Sequence, residues 1–507
     1  MKLILNKISD ANVSTLVVLA AKDKKAGKAT FAKLPPVVQK LIDASTSDEA
    51  FSGDKKETLF FRQANADGYT NVLVVGLGAV EKISTESFRV AAATILGSLK
   101  GNKITSAGVH GDSLAKFGGR VADAALAALA EGVLLSNYEY NDLKSKGKKD
   151  DKKTKEKPKL EQISVLLSKA ATAAQQKVVQ QATILAEAQN FARWLGDSPG
   201  NYMTPTILAD ETVKAAKGTK LKVTVWNKAR IEKERMGGLL AVNQGSHEEP
   251  RFIIMEYNGA GKGKKPVCLV GKGLTFDTGG ISIKPSAGME EMKYDMCGGA
   301  AVIGAMLALA KSGAKVNAIG LVPSTDNMPG PTSFKPGDVY IARNGKSVEV
   351  FNTDAEGRLI LGEALVYGSE QKPAAIFDAA TLTGAILVSL GNTHTGVFTR
   401  DEKLSKRIQA AADESGELVW FLPLVDWHVE DMKGTHADLC NISAGRLAGS
   451  STAAAFLEQF VENDVPFAHF DIAGTAWNVN SRQPYHPRKG ASGIMVRTFV
   501  DLVKSYF

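Results

Sequence analysis

Apolar positions along the chain fall into two rhythms. Unbroken short runs such as Asn71–Val75, Ile163–Leu167 and Val267–Val270 read as strands buried on both faces of a sheet. Ala-rich stretches at Ser87–Leu99 and Val121–Leu135 follow a helical period. Two shorter runs, Lys2–Leu5 and Thr15–Ala20, complete an N-terminal α/β pattern. A long helix follows, with Val178, Ala182, Leu185, Ala188, Ala192 and Leu195 on one stripe, Gly196 as its cap and a turn at Ser198-Pro199-Gly200. Beyond Thr204, strands are predicted at Lys222–Trp226, Phe252–Tyr257, Val267–Val270, Val316–Leu321, Ala375–Asp378 and His469–Ile472. Helices are predicted among them at Gly298–Lys311, Arg358–Gly368 and Ser405–Ser415. This alternation predicts an α/β protein with a smaller N-terminal α/β domain (1–167), a linking helix (168–195) and a larger C-terminal domain (196–507). The larger domain is expected to hold a mostly parallel central sheet flanked by helices, with its site beyond the carboxyl ends of the strands.

Composition narrows the class without naming a function. The 507 residues are 44% hydrophobic and 23% charged, which excludes a disordered or collagen-like chain. Three cysteines, Cys268, Cys297 and Cys440, make no disulfide framework and point to a reducing compartment. The N-terminus lacks the order of a signal peptide, and no stretch is expected to span a membrane, so a soluble cytoplasmic protein is expected. The formal net charge of +8 invites a nucleic-acid reading until it is located. Residues 144–159 carry nine lysines against three acids, and without them the chain has 53 basic and 51 acidic residues. The basicity is one local run, expected as an exposed loop.

Three segments concentrate chemistry. In the first, Lys272 and Asp277 lie in a Gly-rich turn after an apolar strand, with Lys284 shortly beyond. In the second, Met292-Lys293-Tyr294-Asp295 precedes a long apolar helix. In the third, Asn352-Thr353-Asp354-Ala355-Glu356-Gly357-Arg358-Leu359, two acids at i and i+2 point to one side if the segment is extended. Each segment alone is also what a turn, a helix cap or a surface ion pair looks like. Together they offer four carboxylates, two lysines and an arginine, with no histidine among them. Oxygen-rich sets without thiolates suit hard or borderline divalent metals, and four carboxylates suffice for a two-metal site. A lysine joins such a set only as the neutral amine.

At these residues the chain resembles the leucyl (cytosol) aminopeptidases of the M17 metallopeptidase family. The octapeptide 352–359 is the family signature, and the segments around Lys272–Lys284 and Met292–Gly298 match in order. The resemblance implies an enzyme that hydrolyses the N-terminal residue, preferably Leu-like, from peptides and aminoacyl amides. It implies Lys272, Asp277, Asp295 and Glu356 as ligands of a tightly held metal. Asp277, Asp354 and Glu356 would hold an exchangeable one. The metals would be Zn²⁺ and/or Mn²⁺, with Mg²⁺ allowed at the exchangeable site. A metal-activated water would attack the carbonyl, Lys284 would stabilise the oxyanion, and Arg358 would hold a bicarbonate general base. Met292, Thr381, Ala473 and Ala476 would line the first side-chain pocket, and Leu382 and Gly384 would contact substrate. The resemblance also implies a homohexamer and peptides with a free N-terminus as partners.

Competing classes carry less. DNA binding through basic surface loops is an additional role some family members have, but the Lys run holds no aromatic residue and is broken by Asp150, Asp151 and Glu156. Gly76-Leu77-Gly78 has Glu81 where a dinucleotide loop needs glycine. Gly345-Lys346-Ser347 has Tyr340 where a phosphate loop needs glycine, so a hairpin is expected there. No Gly-x-Ser-x-Gly elbow is present.

Overall fold

The computed structural model describes the chain except residues 26, 47–50, 146–159, 446, 480 and 481. The Lys run therefore lies outside the described residues from 146 onward. The chain divides into two compact units, Met1–Glu187 with Ser481–Pro487, and Ala188–Asn480 with Arg488–Phe507. The division falls inside one helix, Ala173–Asp197, which runs through Gly196, the expected cap, and stops one residue later.

The N-terminal unit holds seven strands: β1 Lys2–Lys7, β2 Thr15–Asp23, β3 Lys28–Phe31, β4 Thr58–Phe61, β5 Asn71–Ala79, β6 Ala107–His110 and β7 Gln162–Leu167. Their order is β1-β7-β6-β2-β5-β4, with β3 on β2. β1, β7, β6, β2 and β5 run parallel, and β3 and β4 are antiparallel additions. The unbroken apolar runs are explained by two cores. Leu16, Val18 and Ala20 of β2 enter one, and Val17, Leu19 and Ala21 the other. A strand covered on both faces needs no polar alternation.

The larger unit contains β8 Lys222–Trp226, β9 Arg251–Asn258, β10 Val267–Gly271, β11 Gly273–Asp277, β12 Asn317–Asn327, β13 Val339–Ile341, β14 Ser347–Glu349, β15 Ala375–Ala380, β16 Thr395–Phe398, β17 Val419–Phe421, β18 Leu439–Cys440 and β19 Phe467–Asp471. The main sheet has the order β17-β16-β19-β15-β10-β12-β9-β8, with β11 beside β12. The central strands β19, β15, β10 and β12 are parallel, while β9, β8 and the β16–β19 pairing are antiparallel. This is the mostly parallel, helix-flanked sheet that the pattern predicts. β11 is an addition to that pattern: the Gly-rich segment read as a turn forms a strand on β12. β13 and β14 form the expected hairpin around Gly345.

One helical stretch, Met289–Lys311, is long and apolar enough to cross a membrane, against the expectation that none is, and 89% of it is buried in the fold. Its Ala- and Gly-rich helix Cys297–Lys311 is apolar all round because it is a core helix. Glycine lets its first turn reach the sheet: a Cβ on Gly298 would lie 2.0 Å from the carbonyl oxygen of Ala379. The helix start therefore sits on the ends of β10 and β15 and brings Asp295, just before it, to Lys272.

Candidate metal centre

The functional residues gather where the parallel strands end. Lys272 follows β10, Asp277 closes β11, Thr381–Gly384 follow β15, and Ala473 follows β19. Asp295 comes from the short helix Met289–Met296. Asp354 and Glu356 stand in the loop before the helix Gly357–Glu370. That loop is a turn, with Glu356 already helical in its backbone, so the two acids do not converge by extended i, i+2 geometry. The turn itself brings them together: oxygens of Asp277, Asp354 and Glu356 lie within 4.8 Å of one another.

Two lysines thread this cluster. Lys272 Nζ lies 2.8 Å from Asp295 Oδ2 and 2.9 Å from Glu356 Oε1, and donates to the Thr381 carbonyl at 3.0 Å. Lys284 Nζ lies 2.8 Å from Asp277 Oδ2 and 2.5 Å from Asp354 Oδ1. Lys272 is almost sealed, whereas the Lys284 side chain keeps 22% of its surface open. Asp277 Oδ1 is fixed by Asn327 Nδ2 and by the Gly279 N–H, each at 2.8 Å. Gly279 and Gly280 have φ of +85° and +66°, and a Cβ on Gly279 would sit 2.8 Å from Asp354 Oδ1. Only glycine fits both demands.

The electrostatics show an excess of negative charge. Burial opposes the charge on Lys272, but Asp295, Glu356 and Asp277 outweigh it and hold the ammonium above its ordinary range. Lys284 behaves likewise, burial being overcome by Asp277, Glu356 and Asp354. Burial also pushes Asp295 and Glu356 upward, the latter with Asp277 adding to the effect. Acids and lysines alike favour their protonated forms, as expected when four carboxylates share two ammonium groups. Glu356 Oε2 is buried with no hydrogen-bond partner, and Asp295 Oδ2 and Asp354 Oδ1 face only the lysines. An unsatisfied, oxygen-only donor set with surplus negative charge fits divalent cations.

A cavity of ≈ 270 Å³ is lined by Lys272, Asp277, Lys284, Asp295 and Asp354 from the cluster, and by Met292, Thr381, Leu382, Gly384 and Ala473. Glu356 lies behind it on Lys272. Ala476 is buried outside the lining, because its N–H closes a turn on Ile472 and its carbonyl receives Ser492. Arg358 lines a second cavity, ≈ 810 Å³, which Gly384 also borders. Arg358 Nη1 donates to the Asn441 carbonyl at 2.7 Å, its Nε is unpartnered, and burial lowers the guanidinium to about 10.

Several contributors have no signal in the local sequence. Leu387 and Trp477 line the smaller cavity. Asn441 Nδ2 reaches the Asn352 carbonyl at 2.6 Å and fixes the acidic loop from far along the chain. Asp471 accepts from the N–H groups of Leu382 and Ala473, both at 3.2 Å, and from Thr383 Oγ1 at 2.6 Å. Asp471 stands at the end of a predicted strand, which was the one available hint.

Residues 190–500 match the cytosol aminopeptidase family catalytic domain, and residues 16–147 match that family's N-terminal domain. The chain is similar to the probable cytosol aminopeptidase of Bdellovibrio bacteriovorus, 53% identical over 99% of each chain. It is also similar to that of Burkholderia mallei, 41% identical over 90% of this chain and 87% of the relative. Among solved structures it resembles the bottromycin maturation enzyme BotP, solved also in complex with Mn, with a TM-score of 0.83 and 30% identity over 97% of this chain and 99% of that one. With both family domains matched in order and the acidic cluster inside the catalytic one, the chain belongs to the cytosol aminopeptidase family, metal-dependent exopeptidases that hydrolyse peptides.

Proposed function

We propose that this aminopeptidase releases Leu-like N-terminal residues from peptides and aminoacyl amides at the Lys272–Lys284 cluster. The observation that carries the reading is the surplus of carboxylate over ammonium charge in a small cavity with apolar walls. In this reading Lys272, Asp277, Asp295 and Glu356 hold one cation. Asp277, Glu356 and Asp354, the last also through its carbonyl, hold the exchangeable one. When bound, such a pair lowers the pKa of a water and polarises a carbonyl. Zn²⁺ and Mn²⁺ are the proposed ions, with Mg²⁺ allowed at the exchangeable position.

The chain's own groups do the rest. Lys284 keeps its charge beside Asp277 and Asp354 and opens on the cavity, so it places a cation where the scissile oxygen becomes negative. One such donor is worth about 3–4 kcal/mol of barrier. Buried Arg358, with Nε unpartnered, is the group to hold a bicarbonate as general base. The Leu382 N–H is committed to Asp471, which leaves its carbonyl for a substrate amine. Gly384 borders both cavities, so a peptide with its first residue in the smaller one extends toward the larger. A cytoplasmic homohexamer is proposed on family resemblance alone.

The test is a panel of aminoacyl amides assayed with the enzyme loaded separately with Zn²⁺, Mn²⁺ or Mg²⁺. Leucine should be released fastest among the amides, and a preference for charged first residues under every metal would sink the Leu-like reading.

A further inference from the structure

We infer that Trp477 is the specificity-determining wall of the first-residue pocket, and that Glu291 and Tyr294 lock it in place. This deepens the aminopeptidase reading and rests on it. Trp477 lines the ≈ 270 Å³ cavity together with Met292 and Ala473. Its indole is held from two directions. Tyr294 stacks on it, with ring centroids 5.6 Å apart and planes 13° apart. Glu291 Oε2 accepts the indole N–H at 3.1 Å, while Glu291 Oε1 accepts from Asn478 Nδ2 at 2.6 Å. The Trp477 backbone is fixed as well, by a bridge to Ala491. Glu291 and Tyr294 stand on the short helix Met289–Met296, which also carries Met292 and Asp295. One element thus supplies a proposed metal ligand, one pocket wall and the brace of another.

The brace fixes what the pocket can offer. The indole has a single donor, and Glu291 occupies it. Thr381 Oγ1 is likewise committed to Asp295 Oδ1 at 2.6 Å. A first side chain therefore meets ring carbon, thioether and methyl groups. A polar one gives up its water without gaining a partner, and that loss is not repaid. An apolar one is admitted up to a size set by a ring whose rotation would break both the stack and the Glu291 bond. A braced indole sets a sharper upper limit than Met292, which has three rotatable bonds to yield with. Neither Glu291 nor Trp477 touches the reacting atoms, so Glu291 is a positioning residue and Trp477 a selector.

The experiment measures kcat/KM for leucyl, phenylalanyl and tryptophanyl amides on the full-length, Mn²⁺-loaded enzyme. Ratios between substrates are taken within one preparation, so any loss of folded protein cancels. Trp477→Ala should raise the tryptophanyl-to-leucyl ratio by about tenfold or more, mainly through KM, in the range that pocket shape commands. Trp477→Phe should stay near the wild-type ratio. Glu291→Leu should shift the ratio in the same direction by a smaller factor, and Glu291→Gln, which keeps an acceptor, should restore it. A Trp477→Ala ratio within about threefold of wild type overturns the proposal. So does a Glu291→Leu enzyme whose kcat falls equally on all three amides with the ratio unmoved. A wild type that rejects apolar first residues altogether defeats the underlying Leu-like reading instead, and the two failures are read from different rows of the same data.

Discussion

The two units are built alike and use buried charge in opposite ways. Each is a largely parallel sheet covered by helices. In the N-terminal unit the buried ion pair is between helices, Arg89 with Glu131 at 2.6 Å, and cation and anion are matched. In the larger unit Lys272, Asp277, Asp295 and Glu356 are buried at the carboxyl ends of strands, and the anions outnumber the cations. Burial of charge is costly unless it is paired. A matched pair between helices is explained by packing alone. An unmatched set at the strand ends is explained only by something cationic that binds there. The sheet is a shared scaffold, and the charge balance at its edge distinguishes the unit that does chemistry.

The sharpest way to break this comparison is to alter the unmatched set. Lys284→Ala or Asp354→Ala should abolish release of leucine from leucyl amide, a loss of about 10²–10³-fold or more, with circular dichroism unchanged. Activity within about tenfold of wild type in either variant would refute the assignment. Prolonged chelation comes next. It should inactivate the enzyme, and Mn²⁺ or Zn²⁺ should restore it. At a hundredfold excess over Kd, the returning ion should stabilise the fold that binds it by about 2.7 kcal/mol. Hydrogen exchange localises the effect: segments 272–295 and 352–358 should gain protection, while β2, β5 and β6 should not. Equal protection in both units would erase the distinction drawn between them.

That distinction was half legible in the sequence. The metal-site candidates lie in short segments where glycine and acid recur at fixed spacing, so Lys272, Asp277, Lys284, Asp295, Asp354, Glu356 and Arg358 could be read locally. The central strands were legible too, because double-sided burial leaves unbroken apolar runs. β11 was not, since Gly273 hides a strand inside what looks like a turn. Asn441, Asp471 and Trp477 were not either. Their partners, Asn352, Leu382 and Glu291, are far away in the chain, and no period connects residues that meet only through the sheet's topology. Trp477 and Ala476 are adjacent, and only the turn on Ile472 decides which of them reaches the cavity.

A smaller effect is expected from the matched pair. Glu131→Leu removes the nearer carboxylate from Arg89, leaving Glu86 at 3.4 Å. Taking one partner from a buried pair costs about 3 kcal/mol. Urea unfolding of the full-length chain should show that loss in the N-terminal unit. Leucyl amide turnover per folded molecule should stay within about twofold of wild type, since a stabilising pair is not part of the chemistry. A large fall in turnover would give the N-terminal unit a catalytic part that its charge balance does not suggest.

The smallest effect concerns the charge that dominates the composition. Deleting residues 144–159 removes a net +6 and takes the formal charge from +8 to +2. None of the cluster's residues lies in that run, so leucyl amide hydrolysis should be unchanged. The run is also the electrostatic candidate for nucleic acid. Contacts of that kind bind through released counterions and weaken steeply with salt. Without aromatic residues to stack on bases, and with Asp150, Asp151 and Glu156 interrupting it, the run offers charge and little else. Gel retardation of duplex DNA at low salt should therefore be the same for wild type and deletion. Retardation lost on deletion would show that unmatched charge has a second use in this chain, basic and in the N-terminal unit, beside the acidic one in the catalytic unit.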